Sequence, residues 1–187
     1  MVIIVRNIVI IFSLIPLCPL MLLVGLLIII EDGLPAIFVQ ERYGIDKKIF
    51  KLLKIRTMKN NTAQIGTHEI KNESILSIGR LIRKLKLDEF LQLINVLKGD
   101  LNLVGPRPSL ITQTDLMKER DKLDIYQIKP GITGLSQVCG YDMSDPGALA
   151  NVDSLYLHNQ SFILDTKILI ATLTGIFKKS LKRQFNI

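Results

Sequence analysis

Residues 8–30 form an uncharged run made mostly of Ile, Leu and Val, and no other stretch of the chain is patterned this way. A run of that length can span or deeply enter a bilayer. It is interrupted at Ser13-Leu14-Ile15-Pro16-Leu17-Cys18-Pro19. Each proline inside a helix deletes a backbone hydrogen bond and clashes with the preceding turn, at about 3 kcal/mol or more. In lipid the freed carbonyls need partners, and the Ser13 hydroxyl is a local one. The pattern therefore predicts two short helical arms around a break, either as a kinked span or as a helix-break-helix hairpin. Arg6 and the basic stretch 42–56 both prefer the cytoplasmic side, which favours the re-entrant hairpin. A cleaved signal peptide fits poorly, because the run ends in Glu31-Asp32-Gly33 without a small-residue cleavage site.

The remainder of the chain, residues 32–187, carries nearly all the charge and reads as a small catalytic domain on the cytoplasmic face, with residues 1–31 embedded in the membrane. After the turn signal Gly33-Leu34-Pro35, residues 36–42 read as a strand and 43–48 as a hairpin loop. Residues 49–58 alternate loosely between apolar and basic. Residues 60–72 are polar and aperiodic, so a loop. The strongest helical signal covers residues 74–98, with Ser74 or Ser77 as cap and Gly99 as stop. On one continuous helix Arg80, Lys84, Asp88, Gln92 and Asn95 would line one face. Residues 142–151 read as loop. Residues 161–183 resume a helical pattern ending in Lys178, Lys179, Lys182 and Arg183, suited to an anionic membrane surface or to an ordinary packed terminal helix. The expected fold class is α+β and mainly helical, with interfacial amphipathic helices.

Composition narrows the partners. Twenty-four Lys and Arg against 17 Asp and Glu give a net charge of +7. That suits anionic lipid, a phosphate-bearing substrate or nucleic acid. No compact basic block interleaved with aromatics occurs, so nucleic acid is set aside. Two cysteines, Cys18 and Cys139, offer neither a disulfide framework nor metal-ligand spacing, and point to a reducing compartment.

The chemistry concentrates at Asp88-Glu89, between a basic cluster (Arg80, Arg83, Lys84, Lys86) and the apolar run Phe90-Leu91-Gln92-Leu93-Ile94. Charged residues spaced by four often only decorate a solvated helix. Adjacent carboxylates beside several cations also suit phosphoryl transfer. One can attack phosphorus or hold a divalent ion, while cations neutralise phosphate oxygens. Magnesium fits such oxygen ligands and a pyrophosphate better than zinc does. In Pro106-Arg107-Pro108 two prolines stiffen the turn around an arginine able to clamp phosphate or stack on a base, or merely to be solvated. The glycine-rich segment 129–138 could bring backbone amides close to a nucleotide, although one such loop is a weak signal.

Lys54-Ile55-Arg56-Thr57-Met58, Gly79-Arg80 through Leu87-Asp88-Glu89, and Gln92 through Asp100 together resemble the bacterial sugar transferase family. Val104 to Pro108, Lys129 to Val138 and Leu164 to Leu169 continue the likeness in the same order. The resemblance is to monotopic phosphoglycosyl transferases, in particular the small bacillosamine-phosphate transferase type. It implies transfer of a sugar phosphate from a UDP-sugar to undecaprenyl phosphate, starting glycan assembly at the inner membrane. It also implies Mg2+ at Asp88 and Glu89, a ping-pong route with Asp88 as nucleophile and Glu89 as its partner, and a re-entrant helix. Arg83 matches the substrate-binding arginine just upstream of the dyad, Lys54, Arg56 and Lys129 would contact phosphate, and Arg107 the nucleotide. A homodimer is left open. The chain departs from the pattern at Arg6-Asn7, at Cys18-Pro19 in place of Ser-Pro, and at Cys139-Gly140-Tyr141, where an arginine is usual. A membrane-attached scaffold or regulator of glycan assembly with reduced catalysis is the competing reading, discriminated by whether UMP is released.

Overall fold

The computed structural model describes residues 2–60, 62 and 74–187; most of the loop expected at 60–72 lies outside them. Helices dominate, with α1 (Val2–Asp32), α2 (Ser77–Lys84), α3 (Gln92–Lys98), α4 (Thr114–Lys122), α5 (Leu135–Cys139), α6 (Pro146–His158), α7 (Phe162–Thr174) and α8 (Lys178–Phe185). The strands are β1 (Ile37–Tyr43) paired with β2 (Ile49–Ile55), and β3 (Asn102–Val104) paired with β4 (Gly131–Thr133). The mainly helical α+β class is thus seen. The chain divides into two compact units, residues 1–40 with 52–98, and residues 41–51 with 99–187. The β1–β2 hairpin is shared between them.

In the first unit α1 runs through Pro16 and Pro19 without interruption, where the sequence predicted two arms. A proline removes only its own donor and loosens one turn, and the flanking residues are strong enough helix formers to carry the spiral on. From Arg6 to Asp32 the helix is long and apolar enough to cross a membrane. Its side chains separate it from a core helix of a soluble protein: Phe12, Ile15, Leu22 and Ile30 are each more than 60% exposed. Near its C-terminal end it joins a core, where Val24 and Ile28 pack with Ile55, Leu76 and Ile82.

That end is held by polar contacts as well. The Arg56 guanidinium donates to the carbonyls of Asp32 (3.3 Å) and Gly33 (2.6 Å) and lies 3.5 Å from the Asp32 carboxylate. Asn60 donates to the Asp32 and Leu34 carbonyls. These contacts satisfy carbonyls that a helix end leaves without partners. Glu31 reaches the other way. Its carboxylate accepts from the Ser77 and Ile78 amides at 2.6 and 3.1 Å, at the start of α2. Neither Ser74 nor Ser77 caps that helix, since its N-cap residue is Leu76 with no side-chain bond; a carboxylate distant in sequence serves instead.

The helix expected over 74–98 is two helices. Leu85 ends α2, Lys86 takes the left-handed conformation (φ 56°), and Leu87–Glu89 form one 3-10 turn before α3 begins. The five polar residues predicted to share a face therefore do not lie on one helix. Gly99 does stop α3, with φ of 86°.

The second unit packs α5, α6, α7 and α8 around Val104, Leu135, Val138, Val152, Ile168 and Leu181. α6 begins inside the segment read as loop. Asp145 is its N-cap, accepting from the Ala148 amide at 2.9 Å, and Pro146 follows in the first turn. Asp-Pro is a start signal that the loop reading passed over. Residues 161–183 likewise resolve into two helices, capped by Ser161 and parted by Gly175 at φ 78°. The parallel pair β3–β4 sets Asn102 beside Gly131 and Val104 beside Thr133.

Candidate active site

Asp88 and Glu89 sit on the 3-10 turn in the break between α2 and α3. The turn follows from Lys86: a left-handed residue after α2 redirects the chain, so the carboxylates stand on a tight corner. Within the first unit, Lys54 of β2 lies 3.7 Å from Glu89 Oε1, with both side chains largely buried. Arg83, half-buried on α2, donates from Nε to Thr57 Oγ1 at 2.8 Å. Gly79 lets α2 lie against that segment, since a Cβ there would come within 2.4 Å of the Thr57 carbonyl oxygen. The Leu53 amide donates to the Asn95 side chain at 3.0 Å, tying β2 to α3.

Asp88 is one of the carboxyls whose ionisation burial displaces. Burial pushes its carboxyl above the ordinary range, with Glu89 adding to the rise while Lys54 and Arg83 oppose it. Burial likewise lowers the Arg83 guanidinium, against the pull of Asp88. A carboxylate held partly desolvated among cations is a better nucleophile than one in water and is a frequent mark of a functional site. Among the described residues no cluster of three or more His, Cys, Asp or Glu exists. Two adjacent carboxylates nevertheless fit magnesium, which keeps several waters and takes one or two protein oxygens beside substrate phosphates.

The structure thus brings Asp88, Glu89, Lys54 and Arg83 together in one unit. Arg56, expected as a phosphate contact, is placed otherwise: it is 5% exposed and its guanidinium is engaged on the end of α1. Arg107 and Lys129 belong to the second unit. Arg107 is half-buried within Pro106-Arg107-Pro108. Lys129 precedes the glycine-rich segment, its Nζ 3.7 Å from where a Gly99 Cβ would stand. The glycines there serve packing. A Cβ on Gly131 would lie 2.1 Å from the Gly105 amide nitrogen, and one on Gly134 would lie 2.3 Å from the Gly105 carbonyl oxygen. The Gly131 amide is taken by the Pro106 carbonyl at 2.9 Å. Tyr141, where an arginine was expected, packs against the core of the second unit.

Sequence reasoning missed Arg42 and the pair Arg120–Asp153. Arg42 is 8% exposed and donates to the Pro108 carbonyl at 2.9 Å. Its signal was present: Gln40 and Arg42 share the buried face of β1, and two polar residues turned inward on a strand call for a partner. Arg120 and Asp153 lie on α4 and α6, far apart in sequence, and only the fold pairs them.

An exposed apolar helix long enough to cross a membrane and a partly buried carboxylate pair flanked by cations suit group transfer at a membrane. The model of the bacterial sugar transferase family matches residues 3–179, and the chain belongs to that family. It is 41% identical over 147 residues to the uncharacterized sugar transferase EpsL of Bacillus subtilis, covering 79% of this chain and 72% of that protein. It is 37% identical to the UDP-N-acetylgalactosamine-undecaprenyl-phosphate N-acetylgalactosaminephosphotransferase of Aeromonas hydrophila, over 84% of this chain and 39% of the relative. It is 34% identical to the UDP-glucose:undecaprenyl-phosphate glucose-1-phosphate transferase of Caulobacter vibrioides, over 84% and 62%. The chain therefore spans less than two thirds of both undecaprenyl-phosphate transferases.

Proposed function

We propose that this protein is a phosphoglycosyl transferase that moves a sugar 1-phosphate from a UDP-sugar to undecaprenyl phosphate and releases UMP, the first membrane step of a glycoconjugate pathway. The observation that supports it best is the Asp88–Glu89 corner with Lys54 and Arg83 around it. In the first half-reaction an Asp88 carboxylate oxygen attacks the sugar-linked phosphorus. The bond from that phosphorus to the oxygen bridging the two phosphates breaks, and UMP leaves with the electron pair. The phosphosugar stays on Asp88 as an acyl phosphate. In the second, an oxygen of undecaprenyl phosphate attacks the same phosphorus and the Asp88 carboxylate is the leaving group.

Lys54 and Arg83 neutralise the charge that gathers on the phosphoryl oxygens, Lys129 is a further phosphate contact by resemblance, and Arg107 contacts the nucleotide through its phosphate. Thr57 fixes the Arg83 fork through its Nε. Magnesium, held by Asp88 and Glu89, would supply charge neutralisation for the pyrophosphate. The test is UMP release by the protein in nanodiscs with magnesium, undecaprenyl phosphate and a panel of UDP-sugars. Lipid-dependent release with one sugar supports the reading; silence across the panel from folded protein refutes it.

A nucleophilic Asp88 must be ionised, so burial of that carboxyl sets the acid limb of the reaction. The rate of the first half-reaction should rise with pH through a pKa above the ordinary aspartate value of 3.8 and then level off. Because Lys54 lowers that pKa, Lys54→Met should move the limb to higher pH as well as slow the reaction. A limb that stays put in this variant would separate Lys54 from Asp88.

We also assign the catalytic part to the cytoplasmic face and α8 to an anionic lipid surface. Leu173 and Ile176 are exposed beside Lys178, Lys179, Lys182 and Arg183, the composition of an interfacial helix. Amide exchange over residues 173–183 should be slower in nanodiscs with anionic lipid than in zwitterionic ones. Equal exchange in both would return α8 to an ordinary terminal helix.

A further inference from the structure

The turn carrying Arg107 has a donor on every carbonyl from residue 106 to 109. Pro106 accepts from the Gly131 amide at 2.9 Å and Ser109 from the Tyr43 amide at 3.1 Å. Pro108 accepts from Arg42 Nη1 at 2.9 Å, and the carbonyl of Arg107 itself accepts from Arg120 Nη1 at 2.8 Å. The last of these donors is the most elaborately held. Arg120 is almost wholly buried and spends Nε and Nη2 on Asp153 Oδ2, at 3.1 and 2.6 Å. The other Asp153 oxygen accepts from Ser136 Oγ at 2.7 Å, and Ser136 is fully buried.

A buried ion pair is a poor way to stabilise a fold, because desolvation of both charges offsets their attraction and a well-packed apolar set often does as well. An apolar set, however, could not offer a fixed N–H to the Arg107 carbonyl. The planar fork of arginine can, since two of its nitrogens are locked by one carboxylate while the third points elsewhere.

We propose that Arg120, oriented by Asp153 and Ser136, is a positioning residue that fixes where the Arg107 guanidinium meets a phosphate of the donor nucleotide. The inference rests on the reading of Arg107 as a phosphate contact. Arg120 touches no substrate; it acts through the backbone of the residue that does.

The test is a double-mutant cycle read by calorimetric titration of UMP into the full-length protein in detergent. Arg120→Met/Ser136→Ala/Asp153→Leu removes the tether, both charges and the hydroxyl that would otherwise be orphaned. It should keep a cooperative melt and weaken UMP binding about tenfold, the scale of one hydrogen bond to a charged group. In an Arg107→Ala background the same three changes should leave UMP affinity within about twofold, because nothing remains to be positioned. Equal losses in both backgrounds, or unchanged UMP affinity in the tether variant, would overturn the proposal while leaving the phosphate reading intact. Wild-type protein that binds no UMP would overturn both. Should the triple variant not fold, Arg120→Lys provides the same cycle. It keeps a charge beside Asp153 but lacks the second arm that reaches the Arg107 carbonyl, so an Arg107-dependent loss is again expected and an Arg107-independent one overturns the idea.

Discussion

Asp88→Asn should release no UMP, and it should melt at a higher temperature than the wild-type protein. The first half follows from chemistry: a carboxamide of the same shape occupies the corner but supplies no nucleophilic oxygen, so no phosphosugar can be carried. The second half follows from the direction of the pKa. Burial raises the Asp88 carboxyl above its ordinary value of 3.8, and this outweighs the attraction of Lys54 and Arg83. The folded chain therefore holds a proton that the unfolded chain has released between pH 3.8 and the raised value. Stability falls across that window as pH rises, and the deficit persists at neutral pH. Asparagine carries no charge to desolvate or to repel Glu89, so the deficit disappears. For a chain of this length, each kcal/mol recovered raises the melting temperature by about 2–4 °C. Near-normal UMP release would refute the covalent route, and a lower melting temperature would refute the electrostatic account of the site. The pairing of lost turnover with gained stability is the usual trade at a strained active site.

Gly131→Ala should be the most damaging glycine-to-alanine change among the described residues. The added Cβ would stand 2.1 Å from the Gly105 amide nitrogen, 2.5 Å from the Val104 carbonyl carbon and 2.7 Å from the Thr133 carbonyl oxygen. All three are backbone atoms and cannot rotate aside as a side chain would. Relief requires β3 and β4 to part, which breaks the Gly105-to-Thr133 and Gly131-to-Pro106 hydrogen bonds at 2.9 Å each. Overpacking a close-packed site costs about 1–3 kcal/mol where neighbours can adjust, and more than about 3 is expected here. Thermal melts followed by circular dichroism in detergent measure it. Gly147→Ala is the control, since its Cβ would have only an Asp145 side-chain oxygen near it, at 3.6 Å. Comparable melting temperatures for the two variants would show that the pair can part cheaply.

These two sites show where the chain was legible as sequence. Asp88 and Glu89 stood out because carboxylates beside cations carry their chemistry in residue type, and the hairpin was visible in the strand read at 36–42, the loop at 43–48 and the loose alternation of 49–58. The same helical periodicity misled at 74–98. A period of 3.6 persists across the break, and only the left-handed Lys86, with no glycine to announce it, splits the run. The apolar run erred in the opposite direction. Its prolines forecast a break, yet proline sets a local cost and long apolar flanks decide whether the helix resumes. Glycines 131 and 134 looked like a cradle for a ligand because sequence cannot say what the approaching backbone belongs to. It belongs to Gly105, a partner nearly thirty residues away. Glu31 on the start of α2 and Arg120 with Asp153 were invisible for the same reason: each is a contact between segments whose proximity is a product of folding.

The shared hairpin has a consequence for how this protein is made. Its outer half, residues 41–51, belongs with residues 99–187, while the strand halves on either side of it belong with the first unit. Neither unit is therefore a continuous length of chain. During synthesis α1 precedes the hairpin, whose tip must wait for residues 108 and 109 before Tyr43 and Arg42 find the Ser109 and Pro108 carbonyls. A fragment starting at residue 99 would leave those carbonyls without their donors. A cut between residues 98 and 99 therefore does not separate the two units.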